Sequence, residues 1–453
     1  LIVVLKEKVT MKSEVNLKRV LTRTDLLCHA IGTVTGAGIF STLPIAIGMT
    51  GRSAALAFIL AAVIIIISLV PRILVNGSVR LNGGTYAHLG MFGYKRLAGA
   101  FIIISIIANI SISWYAITFA QYFSSLVPGM SIKFIAGACL TLFTITNLIG
   151  IKEASRLQNL MVLILAISLS MFCFFGIFHI QPGFFEPQSF ITNGPMGVLT
   201  AAGMLTFACS GADGIIPLSP EAKNPTKDIP WCIIVSTLSV AVLYAIMAVV
   251  ASGVFPLSAV INQPLSLVAS KILPGPLYIF FIVGGACFAL VTSLNSQIGW
   301  VTKPILKACN DGWFPKFFGH VNEKFKTPHN LIIALYILGM LPIVTGVDLN
   351  FIAGTSVFTN RFTDFMIATT IISIPKVIPE EWKISKYHIS DLKLKAFAIL
   401  AIITSLFASY LTLRGLSRNA VIINLGMLAC ALLFGVLRMK SGKVHVGIFY
   451  EKK

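Results

Sequence analysis

The sequence predicts an all-α integral membrane protein of twelve transmembrane helices, with ten arranged as two inverted repeats of five and the last two as an appended pair. Three observations carry this prediction. The 453-residue chain is 56% hydrophobic and only 11% charged, with a mean hydropathy of +0.89, too apolar for a water-facing globular surface. Apolar runs of about 20 residues, long enough to cross a ~30 Å hydrocarbon core as helices, recur along almost the whole chain. Two of these runs, the first and the sixth, are interrupted by glycines in matching places.

In chain order the predicted spans are 25–48, 53–77, 97–126, 132–151, 156–180, 195–218, 229–255, 275–305, 328–347, 349–375, 394–413 and 419–438. They divide the chain into a tail (1–24), a first repeat (25–180), a second repeat (195–376), a terminal pair (394–438) and a second tail (439–453). The net charge of +19 raises the question of nucleic acid, but most Lys and Arg gather in alternate loops, so orientation in a bilayer explains them. The outer side keeps Arg52, Lys133, Lys271, Arg414 and Arg418. Both termini are thus expected in the cytoplasm, and the protein in the cell membrane as a multi-pass chain. No cleavable signal peptide is expected. The inner loop "VNEKFKTPHN" and the basic tail "RMKSGKVHVGIFYEKK" read as contacts for anionic lipid, and no obligate protein partner is evident. Seven of the eight cysteines fall within spans without metal-like spacing, as small buried hydrophobes would.

Span 1 contains "AIGTVTGAGIF" (Ala30 to Phe40), and span 6, five spans later, contains "TFACSGADGIIP" (Thr206 to Pro217). Five is odd, so repeats related by this spacing face the membrane in opposite senses. Unwound backbone at membrane depth is tolerated only where it lines a cavity or binds something. A half-helix starting near Gly38 offers N–H groups and a positive dipole end to a carboxylate, while unwound carbonyls suit an ammonium. A ligand with both groups, as an α-amino acid has, fits such a site. The alternative is that the glycines only let helices pack closely.

Four segments carry a resemblance. "TGAGIFSTLP" is similar to a G-S-G-I-F segment on span 1, with Ala37 replacing Ser. "NGGTYAHLG" (Asn82 to Gly90) is similar to S-G-G-x-Y. "NLIGIKEASRLQN" (Asn147 to Asn159) is similar to the loop into span 5. "FACSGADGIIPLSPEAKNPTKDIP" (Phe207 to Pro230) is similar to F-A-x-x-G-F-D followed by E-E-x-x-N-P-x-x-x-I-P, with Ala212 and Pro220 as departures. In this order they resemble the amino acid, polyamine and organocation (APC) superfamily of permeases, which share the leucine-transporter-like 5+5 inverted repeat. The resemblance implies secondary active transport of amino acids by alternating access, coupled to an ion gradient (H+ or Na+). It implies a carboxylate held by N–H groups of Gly36, Ala37 and Gly38, with Ile39 capping the half-helix and Thr35 beside it. It also implies an ammonium on carbonyls of Val34, Phe207, Ala208 and Ser210, and an aromatic gate at Phe207. Ala212, where relatives often carry Phe, leaves the pocket's width open.

Asp213 is an acid at membrane depth, which marks a proton, ion or substrate path or else a structural ion pair. Arg361 is an available partner, although Asp364 at i+3 competes for it; Arg72 is expected to snorkel at the inner end of span 2. Relatives that use protons often carry a Lys in span 5, where this chain has Leu165. In span 8, Ala289, Thr292 and Ser293 resemble a sodium site, completed by carbonyls of Gly32 and Thr35. Against it, Ser and Thr in membrane helices commonly bond their own helix. No cofactor is expected beyond a possible Na+. Asn109, Trp114 and Asn295 are candidates for side-chain selectivity. The seven histidines read as scattered, mostly in loops or at span ends, and no catalytic signature is present, so an enzyme is not expected. Exchange of amino acids or polyamines without an ion, and an amino-acid sensor that binds without transporting, are the rival readings.

Overall fold

The computed structural model describes residues 19–447, apart from 82, 125, 128 and 415, together with residues 450–451. Most of the predicted tail 1–24, and Asn82 of the inner-loop motif, lie outside the described residues. Span 1 forms two helices, α1 (Arg23–Val34) and α2 (Ala37–Thr50). A capping box starts α1: the Thr22 hydroxyl accepts from the Asp25 amide, and the Asp25 carboxylate accepts from the Thr22 amide at 2.8 Å. Span 2 is α3 (Ala54–Ser78), followed by β1 (Arg80–Leu81) and α4 (Gly84–Met91). Span 3 is α5 (Lys95–Ala108) and α6 (Ser111–Ser124), joined by a tight turn at Asn109. Spans 4 and 5 are α7 (Ile132–Ile149) and α8 (Ile151–Ile177), and the short α9 (Pro187–Phe190) leads to span 6.

Span 6 is α10 (Gly194–Leu205), an irregular stretch, and a 3-10 run over Ala212–Glu221. Span 7 is α11 (Pro225–Gly253), and α12 (Leu257–Val260) and α13 (Leu265–Ile272) lie in the loop after it. Span 8 is α14 (Gly275–Phe280), a π-helical stretch over Phe281–Cys287 and α15 (Phe288–Asn310). Spans 9 and 10 are α16 (His329–Thr345) and α17 (Leu349–Ala368), followed by the short α18 (Ile374–Val377) and α19 (Pro379–Lys383). Spans 11 and 12 are α20 (Asp391–Arg414) and α21 (Arg418–Lys440), and β2 (Tyr450–Glu451) pairs antiparallel with β1.

Eight helical stretches among the described residues are long and apolar enough to cross a membrane, and the chain is a multi-pass membrane protein. The other predicted spans fall short for local reasons. Spans 1 and 6 are broken, α16 has 17 residues, and α17 carries Arg361 and Asp364 in mid-helix. The main core lies where α1, α3, α10 and α11 pack together. The outward faces of α7, α8, α20 and α21 expose Phe134, Phe174, Phe407 and Leu433, the apolar exterior that lipid requires.

On the predicted inner face, α15 ends in a polar knot. The Tyr86 hydroxyl donates to Asp311 at 2.6 Å and Lys307 Nζ to the same carboxylate at 2.7 Å. Burial is the largest influence on the Asp311 carboxyl and lifts it above the ordinary carboxylate range, although Lys307 opposes it. The chain beyond α21 runs across this knot, where the His445 amide donates to the Asp311 carbonyl at 2.9 Å, and continues to β2.

Candidate functional site

The two breaks meet. α1 ends at Val34 with Thr35 as its C-cap, and α2 begins after Gly36, whose backbone is its N-cap with no side chain capping it. This corrects the placement of Ile39, which lies inside α2 rather than capping it. In span 6, Gly211 adopts a φ of +116°, a left-handed conformation that a side chain would strain. Gly38 packs directly on the span 6 backbone: a Cβ there would lie 2.6 Å from the Ala208 Cα. Close helix approach and a broken backbone therefore occur at the same glycines, so the two sequence readings describe one arrangement.

A cavity of about 110 Å³ opens beside this contact. Of the predicted binding residues, Val34, Gly36, Gly38, Phe207, Ser210 and Asp213 line it. Thr35, Ile39 and Ala208 are buried next to those residues in the chain, and Ala37 opens α2. The Phe207 ring stacks on Trp114 with centroids 4.9 Å apart, and Trp114 stacks in turn on Tyr115. An aromatic lid thus covers one side. The Phe207 carbonyl already accepts from the Ser210 hydroxyl at 2.9 Å.

Asn109 is on the cavity wall and accepts from Gln297 Nε2 at 3.2 Å. Asn295 is not on that wall: it is fully buried in a chain of amides, accepting from Asn147 at 2.9 Å and donating to Gln158 Oε1 at 2.9 Å. Sequence reasoning missed Tyr115, Gln297 and Trp300, which also line the cavity. Their only sequence signal is polarity within an apolar run. Asn109 Nδ2 and Trp300 Nε1 are buried donors without a protein partner among the described residues.

Arg72 does not snorkel. It is buried and forms an ion pair with Asp364 and, at 3.2 Å, with Asp213. The Asp213 contact is Coulombic, since the Arg72 Nε–H does not line up as a hydrogen bond. Two carboxylates from spans 6 and 10 reach the same depth, and burying the guanidinium between them satisfies a charge that would otherwise seek the interface. Arg361 pairs with Asp364 at 2.9 Å, as the i+3 spacing allows, rather than with Asp213. These four residues all line the cavity, and two positive charges balance two negative ones.

The candidate sodium ligands converge. Thr292 Oγ1 donates to the Gly32 carbonyl at 3.2 Å and the Ala289 carbonyl at 3.0 Å, and Ser293 Oγ donates to Gly32 at 2.7 Å. The Thr35 hydroxyl bonds the Ile31 carbonyl at 2.6 Å. Facing them is Gln158, whose Nε2 would lie 2.0 Å from a Cβ at Gly32. That amide nitrogen has no hydrogen-bond partner among the described residues. Its orientation follows from its oxygen being taken by Asn295.

His29, read from sequence as scattered, is instead buried among three helices. Nε2 lies 2.8 Å from the Ser155 hydroxyl on α8, and Nδ1 lies 3.1 Å from the Ser296 hydroxyl on α15.

Comparison with known proteins agrees with this geometry. The model of the amino acid permease family matches residues 21–436. The chain is 27% identical over 361 residues to the branched-chain amino acid permease BcaP of Bacillus subtilis (strain 168), covering 74% of this chain and 75% of that one. It is 27% identical over 395 residues to the methylthioribose transporter of the same organism, covering 81% and 83%. It is also 26% identical over 265 residues to the mitochondrial cationic amino acid transporter 3 of Arabidopsis thaliana, covering 56% and 43%.

Proposed function

The chain belongs to the amino acid permease family, and from that premise we propose a secondary active transporter that carries an amino acid across the cell membrane by alternating access, driven by a cation gradient. The observation that carries this reading is the meeting of both helix breaks on one cavity, with Val34, Gly36 and Gly38 on one side and Phe207, Ser210 and Asp213 on the other. The positive end of α2 suits the carboxylate. The two unpartnered donors, Asn109 Nδ2 and Trp300 Nε1, offer hydrogen bonds to a ligand's own acceptors. The breaks' spacing of five spans supports an inverted repeat, with the rest of the twelve-span topology and cytoplasmic termini following from it.

The substrate's side chain is neutral in this reading. Asp213 already faces Arg72, and the cavity's four charges cancel, so no spare charge remains to recognise a cationic or anionic side chain. Competition for uptake by neutral amino acids, with little by lysine, arginine or polyamines, is the expected outcome.

Two cations are candidates. The convergence of Thr292 and Ser293 on Gly32 supports sodium. The Gln158 amide opposes it, because an N–H donor aimed at the same carbonyl cluster has the wrong polarity for a cation's neighbour. The residues present therefore fit sodium poorly, and no step is routed through it. Uptake is expected to be independent of sodium in the parent protein and in Thr292→Ala and Ser293→Ala. If either substitution raises the sodium concentration needed for half-maximal uptake, the sodium site is reinstated.

The deciding experiment is uptake of a labelled amino-acid panel into proteoliposomes with a sodium gradient, a proton gradient or internal amino acid imposed separately. Gradient-driven accumulation supports the proposal. Uptake that needs only internal substrate means exchange without an ion, and saturable binding without uptake means a sensor.

A further inference from the structure

Resting on the permease reading, we propose that the coupled ion is a proton and that His29, clamped between Ser155 and Ser296, is the group that binds it. A hydroxyl can both donate and accept a hydrogen bond. A neutral imidazole needs one acceptor and one donor facing it, and an imidazolium needs two acceptors. The pair of hydroxyls meets either need by rotating one O–H, with no movement of backbone or ring. A clamp made of a carbonyl or an amide would fit only one protonation state.

Its position suits coupling. His29 is on α1, the half of span 1 that the break at Thr35 and Gly36 separates from α2. Its partners are on α8 and on α15. A movement of α1 against those helices must break or remake the clamp, so the proton's binding free energy depends on which way the transporter faces. That dependence is what coupling requires.

The other charged groups on the elements packed against His29 are already engaged. On α1 itself, Asp25 lies one turn nearer the predicted inner face, accepts from Thr22 and from Asn159 Nδ2 at 2.6 Å, and acts electrostatically on the His29 ring. Arg23 pairs with Asp228 of α11 at 2.7 Å. Along α15, Lys303 pairs with Glu221 at 2.9 Å and Lys307 with Asp311 at 2.7 Å. In the 3-10 run of span 6, Asp213 pairs with Arg72. Arg156 follows Ser155 on the described part of α8, Lys227 of α11 is exposed, and the thiols Cys28 and Cys232 complete the set. Asp25 is thus the carboxylate placed to balance an imidazolium and to take its proton on the way inward.

In the cycle, a proton from outside adds to the free ring nitrogen and gives an imidazolium held by both hydroxyls. When α1 moves in the inward-facing state, the proton leaves through Asp25 to the cytoplasm and neutral imidazole is restored. One proton crosses per turnover.

The test compares the parent with His29→Gln in proteoliposomes, using two assays on the same preparations. Counterflow of labelled against unlabelled amino acid reports binding and translocation without a driving ion. Accumulation under an imposed pH gradient, in the absence of sodium, reports coupling. With one proton coupled, a gradient of one pH unit supports about tenfold accumulation by the parent. His29→Gln is expected to keep counterflow but to equilibrate without accumulating, and its counterflow is expected to lose pH dependence between about pH 5 and 8. Accumulation by His29→Gln equal to the parent's overturns the assignment, as does accumulation by the parent that requires sodium. Absence of counterflow in the parent overturns the permease reading and the assignment with it. If His29→Gln does not fold, Ser296→Ala decides, since it keeps the imidazole but removes the hydroxyl at Nδ1. A shifted pH profile of accumulation supports the proposal, and an unchanged profile overturns it.

Discussion

Gly38→Leu is expected to abolish substrate binding. The first added atom would lie 2.6 Å from the Ala208 Cα and 2.9 Å from its Cβ, too close for any rotamer to relieve, because the obstacle is backbone. The two broken helices must separate, and the separation moves the amino end of α2 away from the carbonyls of span 6 that face it. Overpacking of this kind costs about 1–3 kcal/mol in stability, while loss of the joint grip on carboxylate and ammonium removes the affinity. Gly38→Ala is expected to bind weakly rather than not at all. Direct binding of a labelled amino acid to detergent-purified protein, beside thermal unfolding of the same sample, separates the two effects. Unchanged affinity in a folded Gly38→Leu would overturn the placement of the site.

The second large effect is expected at Arg72. Arg72→Met leaves Asp213 and Asp364 without the guanidinium they share, and breaking a buried pair from one side costs about 3–5 kcal/mol because the remaining charge stays desolvated. A lowered thermal unfolding midpoint is the readout. Adding Asp364→Asn is expected to recover part of the loss, since it removes one stranded charge. If the two substitutions were simply additive, the pair would not be coupled. Asp213 is the more exposed of the two carboxylates, at 29% against 4%, so its negative charge would then face the cavity unopposed. The variant that folds is therefore expected to be competed by lysine, which the parent tolerates poorly.

Much of this was legible in the sequence, and the division has a physical cause. Hydropathy and helix-breaking residues are local properties, so the helical runs and the breaks at Gly36, Gly38 and Gly211 could be read directly. Their shared cavity was legible because five intervening spans fix how two breaks face each other. Arg72 was misread because its partners are Asp213 and Asp364, far along the chain, and only tertiary packing places three spans at one depth. The same holds for His29: its neighbours on α1 give no hint of Ser155 or Ser296. Asn295 was misassigned for a subtler reason. It is on the correct helix, but which face of α15 meets the cavity depends on the helix preceding it.

That preceding stretch is π-helical over Phe281–Cys287. A wide turn holds one residue more than an α-helical turn, and one residue corresponds to about 100° of rotation about the axis. Every side chain of α15, including Gln297 and Trp300, is phased by that turn. Removing a single residue within it would shorten the span by only about 1.5 Å yet swing the cavity-facing set toward the neighbouring helices. A deletion there is therefore a change of face and not of length. Aligned without a gap to a relative whose span 8 is uniformly α-helical, the residues beyond the turn would be matched to positions pointing elsewhere.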